Sequence, residues 1–246
     1  MDALMIGLGT LVNIVAILLG STIGVFAGAK FPERTRNLVT DVLGFVVALA
    51  AADALRSLWN HTFVSQVPRG WTLLTVLAAL LLGAISGSIL KIEAKLEVIG
   101  EGLRSRFNRS GRGRFVEGFV SSSLLFVIGP LAILGGISDG MGNGHEQLIL
   151  KSTLDFFASI AFASSLGWGV AASALPVGIY QFIWTGLGFA LGNVLSDYQV
   201  QAMTAVGGVL LLGIAFRLLQ IKMVQVGDLV PALFFAPVVA LIAHHF

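Results

Sequence analysis

Cysteine is absent from the 246-residue chain, which excludes a thiolate nucleophile, a Cys-ligated metal and a disulfide framework, and leaves no mark of redox compartment. Charge is scarce as well. Asp, Glu, Lys and Arg together make up 11% of the residues, where ~25% is usual; a soluble enzyme or a disordered segment is not built this way. H-E-x-x-H and G-x-S-x-G are missing, and the four histidines (His61, His145, His244, His245) fall in expected loops or at the C-terminus, so the chain is not read as an enzyme. No cofactor or metal is implied. Gly7, Gly9, Gly186 and Gly188 follow no strand and make no dinucleotide fingerprint.

Apolar residues are abundant, at 56% with a mean hydropathy of +0.91, and there are 30 glycines, about 12% against the usual ~7%. Both point to a bilayer, where glycine lets helices approach closely. Runs of ~18 to 20 residues without charge span a membrane as helices, because every backbone polar group must be bonded internally there. Residues 3–29, 70–90, 118–138, 198–216 and 229–246 contain no charged side chain. Between Asp155 and Asp197 lie 41 more uncharged residues, about 60 Å of helix and twice the hydrocarbon thickness. That stretch must fold back, and Pro176 favours a turn at Ala171–Pro176. With residues 38–58, interrupted by Asp41 and Asp53, the expected fold is all-α: a polytopic bundle of about eight transmembrane helices, or seven plus a re-entrant segment. It forms a single integral membrane domain over 1–246. A cleaved signal peptide does not fit, since no Lys or Arg precedes Lys30.

Eight spans put twelve of the 15 basic residues on one side and leave Arg56, Arg69 and Lys151 on the other. The positive-inside rule makes the twelve cytoplasmic and both termini external. Residues 90–114 differ in kind. Leu96, Ile99, Leu103 and Phe107 recur at helical spacing among charges, which predicts a cytoplasmic amphipathic helix, and Asn108–Arg114 reads as a basic loop against anionic lipid. Phe107 and Phe115 alone do not interleave enough aromatics for nucleic acid, which is not an expected partner.

Setting Gly24 over Gly188 aligns Gly28 with Gly192, Glu33 with Asp197, Gly44 with Gly208 and Leu55 with Leu219. A repeat in this register is inverted, because the first span enters and the sixth leaves; inverted repeats are a recurrent design in secondary transporters. Glycines four apart (Gly20, Gly24, Gly28; Gly83, Gly87; Gly188, Gly192) mark close helix contacts, inside the bundle or, as a homo-oligomer, with a second copy.

Charges inside the bilayer are costly and persist where a cavity or partner receives them. Lys151 and Asp155 are four apart and share a helix face. Asp53 is read as snorkelling outward with Arg56. Asp139 lies in the glycine-dense stretch Gly135–Gly144, which is expected to depart from regular helix as an external turn or a re-entrant loop. Asn13 and Gln181 stand out, because amides are rarer than serine in apolar helices; Ser122 and Ser159 add hydroxyls. Gly129-Pro130 breaks the fourth span, and Glu117 is read as its first turn, where a carboxylate favours the helix dipole.

FVEGFVSSSLLFVIGPLAILGGISDG (115–140) and LKSTLDFFASIAFASSLGWGVAASALPV (150–177) resemble the YqgA-like family of bacterial inner-membrane proteins, domain-of-unknown-function family 554. GTLVNIVAILLGSTIG and VGDLVPALFFAPVVAL are similar to it too, so the resemblance covers nearly the whole chain. It implies a multi-pass protein of the bacterial cytoplasmic membrane, with polar family positions matching Asn13, Glu117, Asp139, Lys151, Asp155 and Gln181. Pro130 stands where the family often carries a small residue. The resulting expectation is a transporter of a small solute or ion by alternating access, with Asp155 and Lys151 as coupling or substrate groups, Asp139 at the outer mouth, and Asn13, Gln181 and Ser159 as uncharged ligands. A non-transporting scaffold or a channel are the other readings.

Overall fold

The computed structural model describes residues 6–107, 112–192 and 195–246, and among these no strand occurs. Helices follow in the order α1 (Leu8–Gly28), α2 (Glu33–Leu55), α3 (His61–Val64), α4 (Trp71–Leu90), α5 (Ile92–Phe107), α6 (Arg112–Ile128), α7 (Pro130–Gly140), α8 (Glu146–Leu166), α9 (Gly169–Ala172), α10 (Ala174–Leu191), α11 (Asp197–Leu218) and α12 (Ala232–His244). Among the described residues, seven helical segments are long and apolar enough to cross a membrane, and α6 with α7 forms a further, bent pair. This is a polytopic helical membrane bundle.

Within the expected single membrane domain two compact units are distinguished, residues 1–43 with 96–194 and residues 44–95 with 195–246. In the first unit α1 lies along α8. A methyl added at Gly20, Gly24 or Gly28 would meet the backbone carbonyl of Phe156, Ile160 or Ser164. Both residue series rise together in steps of four, so the two helices run parallel with their backbones in contact. Glycine earns its place here because only a missing side chain permits that approach. The pair α7·α10 repeats the device: Gly136 meets the Gln181 carbonyl and Gly140 that of Thr185, again rising together in parallel, while Gly188 meets the Ile137 carbonyl. In the second unit α4 packs antiparallel on α12 and the turn ahead of it, with Gly83 against Ala232 and Gly87 against Asp228 of the 226–229 turn. There too α2 and α11 cross antiparallel through two matched contacts, Gly44 on Leu219 and Gly208 on Leu55. The glycine faces noted in the sequence thus pack largely against helices of the same chain.

The parallel pair α1·α8 bears on the count of spans. If α1, α2, α4 and α8 are each one span, the parallel run of α1 and α8 requires α6 and α7 together to cross as well. A re-entrant α6–α7 would reverse α8.

The expected break of the fourth span at Gly129-Pro130 is present: Gly129 is extended (φ −70°, ψ 143°), Pro130 starts a new helix, and the two segments bend by 61°. Several sequence expectations need correction. Helix α7 continues through Gly135 and Gly136 to Gly140, so most of the glycine-dense stretch is helical and only its end turns. The turn after α8 falls at Gly167 (φ +79°, a conformation L side chains rarely adopt), not at Ala171–Pro176. Pro176 does sit in a first helical turn, that of α10, where its missing N–H costs nothing. Helix α6 starts at Arg112, which puts Glu117 in the second turn, beyond the reach of the helix-dipole argument. Of the expected basic loop, 108–111 lie outside the described residues.

Candidate functional site

The buried stripe of α1 is Gly9, Thr10, Asn13, Ile17, Gly20, Ser21, Gly24 and Gly28, a helical repeat of small and polar residues where an apolar face is usual. Helix α8 answers with Leu148, Lys151, Ser152, Asp155 and Ser159. The polar upper halves of these stripes meet, and they form the site.

Asp155 is the tenth of the 21 residues of α8, hence halfway along a span. Lys151 donates to its Oδ2 from one turn earlier, and Asn13 Nδ2 donates to the same oxygen at 3.0 Å. Asn13 Nδ2 also donates to Gln181 Oε1 on α10, at 3.1 Å. The Lys151 ammonium lies 5.8 Å from the centroid of the Phe126 ring on α6, within cation–π range. Four helices therefore contribute to one group of side chains, and Asn13, Lys151, Asp155 and Gln181 are all nine-tenths or more buried. An ion pair so far from water is held at a cost that its own attraction only partly offsets.

The group has spare hydrogen-bonding capacity. Asn13 Oδ1, Gln181 Nε2 and the hydroxyls of Ser159, Ser121, Ser122, Thr10 and Ser21 are buried without a hydrogen-bond partner among the described residues. Native interiors leave few such groups, and here acceptor, donor and hydroxyl recur along the faces that carry the charges. The arrangement suits a small polar or ionic guest that takes several weak contacts and can displace one charge of the pair from the other.

The remaining candidates sit elsewhere. Asp139, at the end of α7, is buried and accepts from the Gly7 amide at 2.9 Å, so it caps the start of α1. Asn13 lies six residues further along α1, about 9 Å at helical rise. Ser159 is one turn beyond Asp155, with its Cβ against Gly20. Ser122 is buried on α6, and Glu117 is half-buried. Asp53 belongs to the other unit, where it pairs with Arg56 at 3.4 Å with both side chains about four-fifths exposed. It has no part in the buried group.

Sequence reading missed a second buried charge pair. Glu93 of α5 and Arg217 of α11 form an ion pair within the second unit, where the Gly227 amide also donates to Glu93 Oε2 at 2.6 Å. Asp228 Oδ1 accepts from the Glu93 amide at 2.9 Å. Glu93 had the look of one more charge on a surface helix, and Arg217 of one more topological arginine; no local signal distinguishes them. Thr10 and Ser21 were also missed, although their spacing from Asn13 by three and by eight residues puts them on its face.

Comparison with known proteins agrees in kind. A model for a protein family of unknown function, DUF554, matches residues 8–241. The chain is 28% identical over 242 residues to an uncharacterized membrane protein of Bacillus subtilis, YdfK, covering 97% of each chain. It is 29% identical over 233 residues to an uncharacterized protein of Escherichia coli, YqgA, covering 93% of this chain and 94% of that one. No solved structure matches. With a family model spanning nearly its whole length, two full-length relatives and a bundle of apolar helices, the chain belongs to the DUF554 family of uncharacterized proteins.

Proposed function

We propose that the chain transports a small solute or ion across the bacterial cytoplasmic membrane by alternating access. The observation that carries this reading is the Lys151–Asp155 pair, buried halfway along α8, joined through Asn13 to Gln181 and surrounded by polar atoms that lack partners. Ionisable groups at that depth are by default functional groups. A pair of opposite charges gives a coupling device: a proton or Na⁺ arriving at Asp155 takes over the carboxylate and releases Lys151, which then holds an anionic guest. Asn13, Gln181 and Ser159 supply neutral contacts, and Asp139 stands at the outer mouth, at the start of α1.

The matched contacts of α2 and α11 support the same reading. If residue 44 corresponds to 208 and 55 to 219, a two-fold axis turns the Gly44–Leu219 contact into Gly208–Leu55, and both occur. Antiparallel helices so related are what an inverted repeat supplies, and such repeats suit a protein that opens alternately to two sides. A scaffold that joins subunits through glycine faces draws less support, since those faces already carry helices of this chain.

The test is uptake by proteoliposomes of a panel of ions and metabolites, with and without a proton or sodium gradient. Gradient-dependent uptake by the native chain and its loss in Asp155→Asn is expected. Uptake that never exceeds that of empty liposomes across the panel refutes the reading.

A further inference from the structure

Away from that group, the first unit carries a cavity of about 220 Å³ lined by Arg36 and Arg114, the last turn of α1 and residues 163–168. No Asp or Glu lines it. Both guanidinium groups are fixed in place. Arg36 Nε and Nη2 donate to the Gly28 carbonyl at 3.2 and 2.9 Å. Arg114 Nη1 donates to the Ser165 carbonyl at 3.4 Å, and its Nη2 to Glu33 Oε1 and Asn37 Oδ1 at 3.1 Å each. Each guanidinium carries five N–H donors, more than these bonds use, and planar donors held in this way are suited to phosphate oxygens.

The cavity does not end at its polar wall. Phe115 and Trp168 are shared with an apolar groove of about 380 Å³, and Leu18, Ala171 and Ala172 connect that groove to another of about 430 Å³ that reaches Ile14 and Phe182. From Gly28 to Ile14 the path follows α1 for about 21 Å, longer than the ~15 Å of one hydrocarbon leaflet. At the junction Trp168, 40% exposed, stacks edge to face on the largely exposed Phe26, as aromatic side chains do at a membrane–water interface. One end is cationic, the rest is apolar, and the change occurs where headgroup meets chain.

We propose that this is a binding site for one anionic glycerophospholipid, with its phosphate on Arg36 and Arg114 and an acyl chain in the groove between α1 and the α9–α10 segment. Basic pockets between transmembrane helices recognise lipid phosphates in this way. The site is independent of the transport reading, because none of its lining residues belongs to the Asn13–Asp155 group.

The test uses the full chain purified in detergent, with bound lipid counted by native mass spectrometry and stability followed by thermal melting. Phosphatidylglycerol, phosphatidylcholine and inorganic phosphate are added separately. Phosphatidylglycerol is expected to bind at least five-fold more tightly than phosphatidylcholine and to raise the melting midpoint, whereas inorganic phosphate does neither. Arg114→Gln should erase the headgroup preference. Ala172→Trp fills the groove junction and leaves both arginines intact, so it should weaken phosphatidylglycerol at least five-fold. Equal binding of the two lipids overturns the proposal. So does stabilisation by inorganic phosphate alone, which marks a free-anion site, or unaltered lipid binding by a folded Ala172→Trp.

Discussion

Replacing one member of the Lys151–Asp155 pair tests whether the charges are buried together as the geometry states. In Asp155→Asn the Lys151 ammonium, 4% exposed, loses its carboxylate partner and keeps the Phe126 ring. In Lys151→Met the carboxylate keeps Asn13 Nδ2 and loses the ammonium. Breaking one side of a buried pair costs roughly 3–5 kcal/mol, because the other charge stays buried and uncompensated. For a chain of this size 1 kcal/mol moves the melting midpoint by about 2–4 °C, so each single variant should melt some 6–20 °C lower in detergent. The double variant leaves no charge unpaired. Neutral replacements of buried pairs are often tolerated, so it should recover more than half of the larger single loss. Additive losses, or single variants within ~1 kcal/mol of the native chain, would mean that the two groups are solvated separately, and the reasoning from burial would fail with them.

Gly24→Leu drives a side chain onto the Ile160 carbonyl and the Ala163 methyl; since backbone cannot yield, a loss of at least the ~1–3 kcal/mol typical of overpacking is expected in thermal melting. Glu93→Gln keeps an oxygen for the Gly227 amide but strands the buried Arg217, and a loss of roughly 3–5 kcal/mol, largely restored by adding Arg217→Met, should appear in the same assay. Spin labels at Ile23 and Phe157, both exposed, should report one narrow α1–α8 distance under every gradient and ligand condition, while labels at Phe157 and Phe189 report an α8–α10 distance that shifts. An α1–α8 distance that varies as much as the second one counts against a rigid pair.

The limits of the sequence have physical causes. Lys151–Asp155 was legible because a spacing of four is a contact on any helix. Asn13 and Gln181 were legible as candidates because amides are rare in apolar spans, but their partnership was not: the bonds join residues 142 and 168 positions apart, and no periodicity encodes which helices meet. Gly129-Pro130 announced a break but not its 61° angle, which depends on what each half packs against. The Ala171–Pro176 expectation failed because the reversal was placed directly before the helix that Pro176 opens; Gly167, able to take φ +79°, ends α8 first, and the short helix α9 stands between the two. Glu93 and Arg217 stayed hidden because a charge among charges looks solvated until tertiary structure covers it.

Glycine contacts also distinguish which helices can move against each other. In α1·α8 and α7·α10 the missing side chains face backbone carbonyls, at Gly20, Gly24, Gly28, Gly140 and Gly188. A carbonyl set in a groove of glycines locks the register, so each pair behaves as one body. Between the pairs the corresponding contacts are with side chains: Gly135 against Leu148 and Gly178 against Ile14. Such surfaces exchange rotamers at little cost and can slide. Hydrogen bonds from Gly7 to Asp139 and from Asn13 to Gln181 run across this boundary. One ends on a carboxylate, and the other starts from the amide that also holds Asp155. On the transport reading proposed above, a change of charge at Asp139 or Asp155 acts on the bonds that tie the two bodies together, and this would couple an occupant of the site to their relative movement.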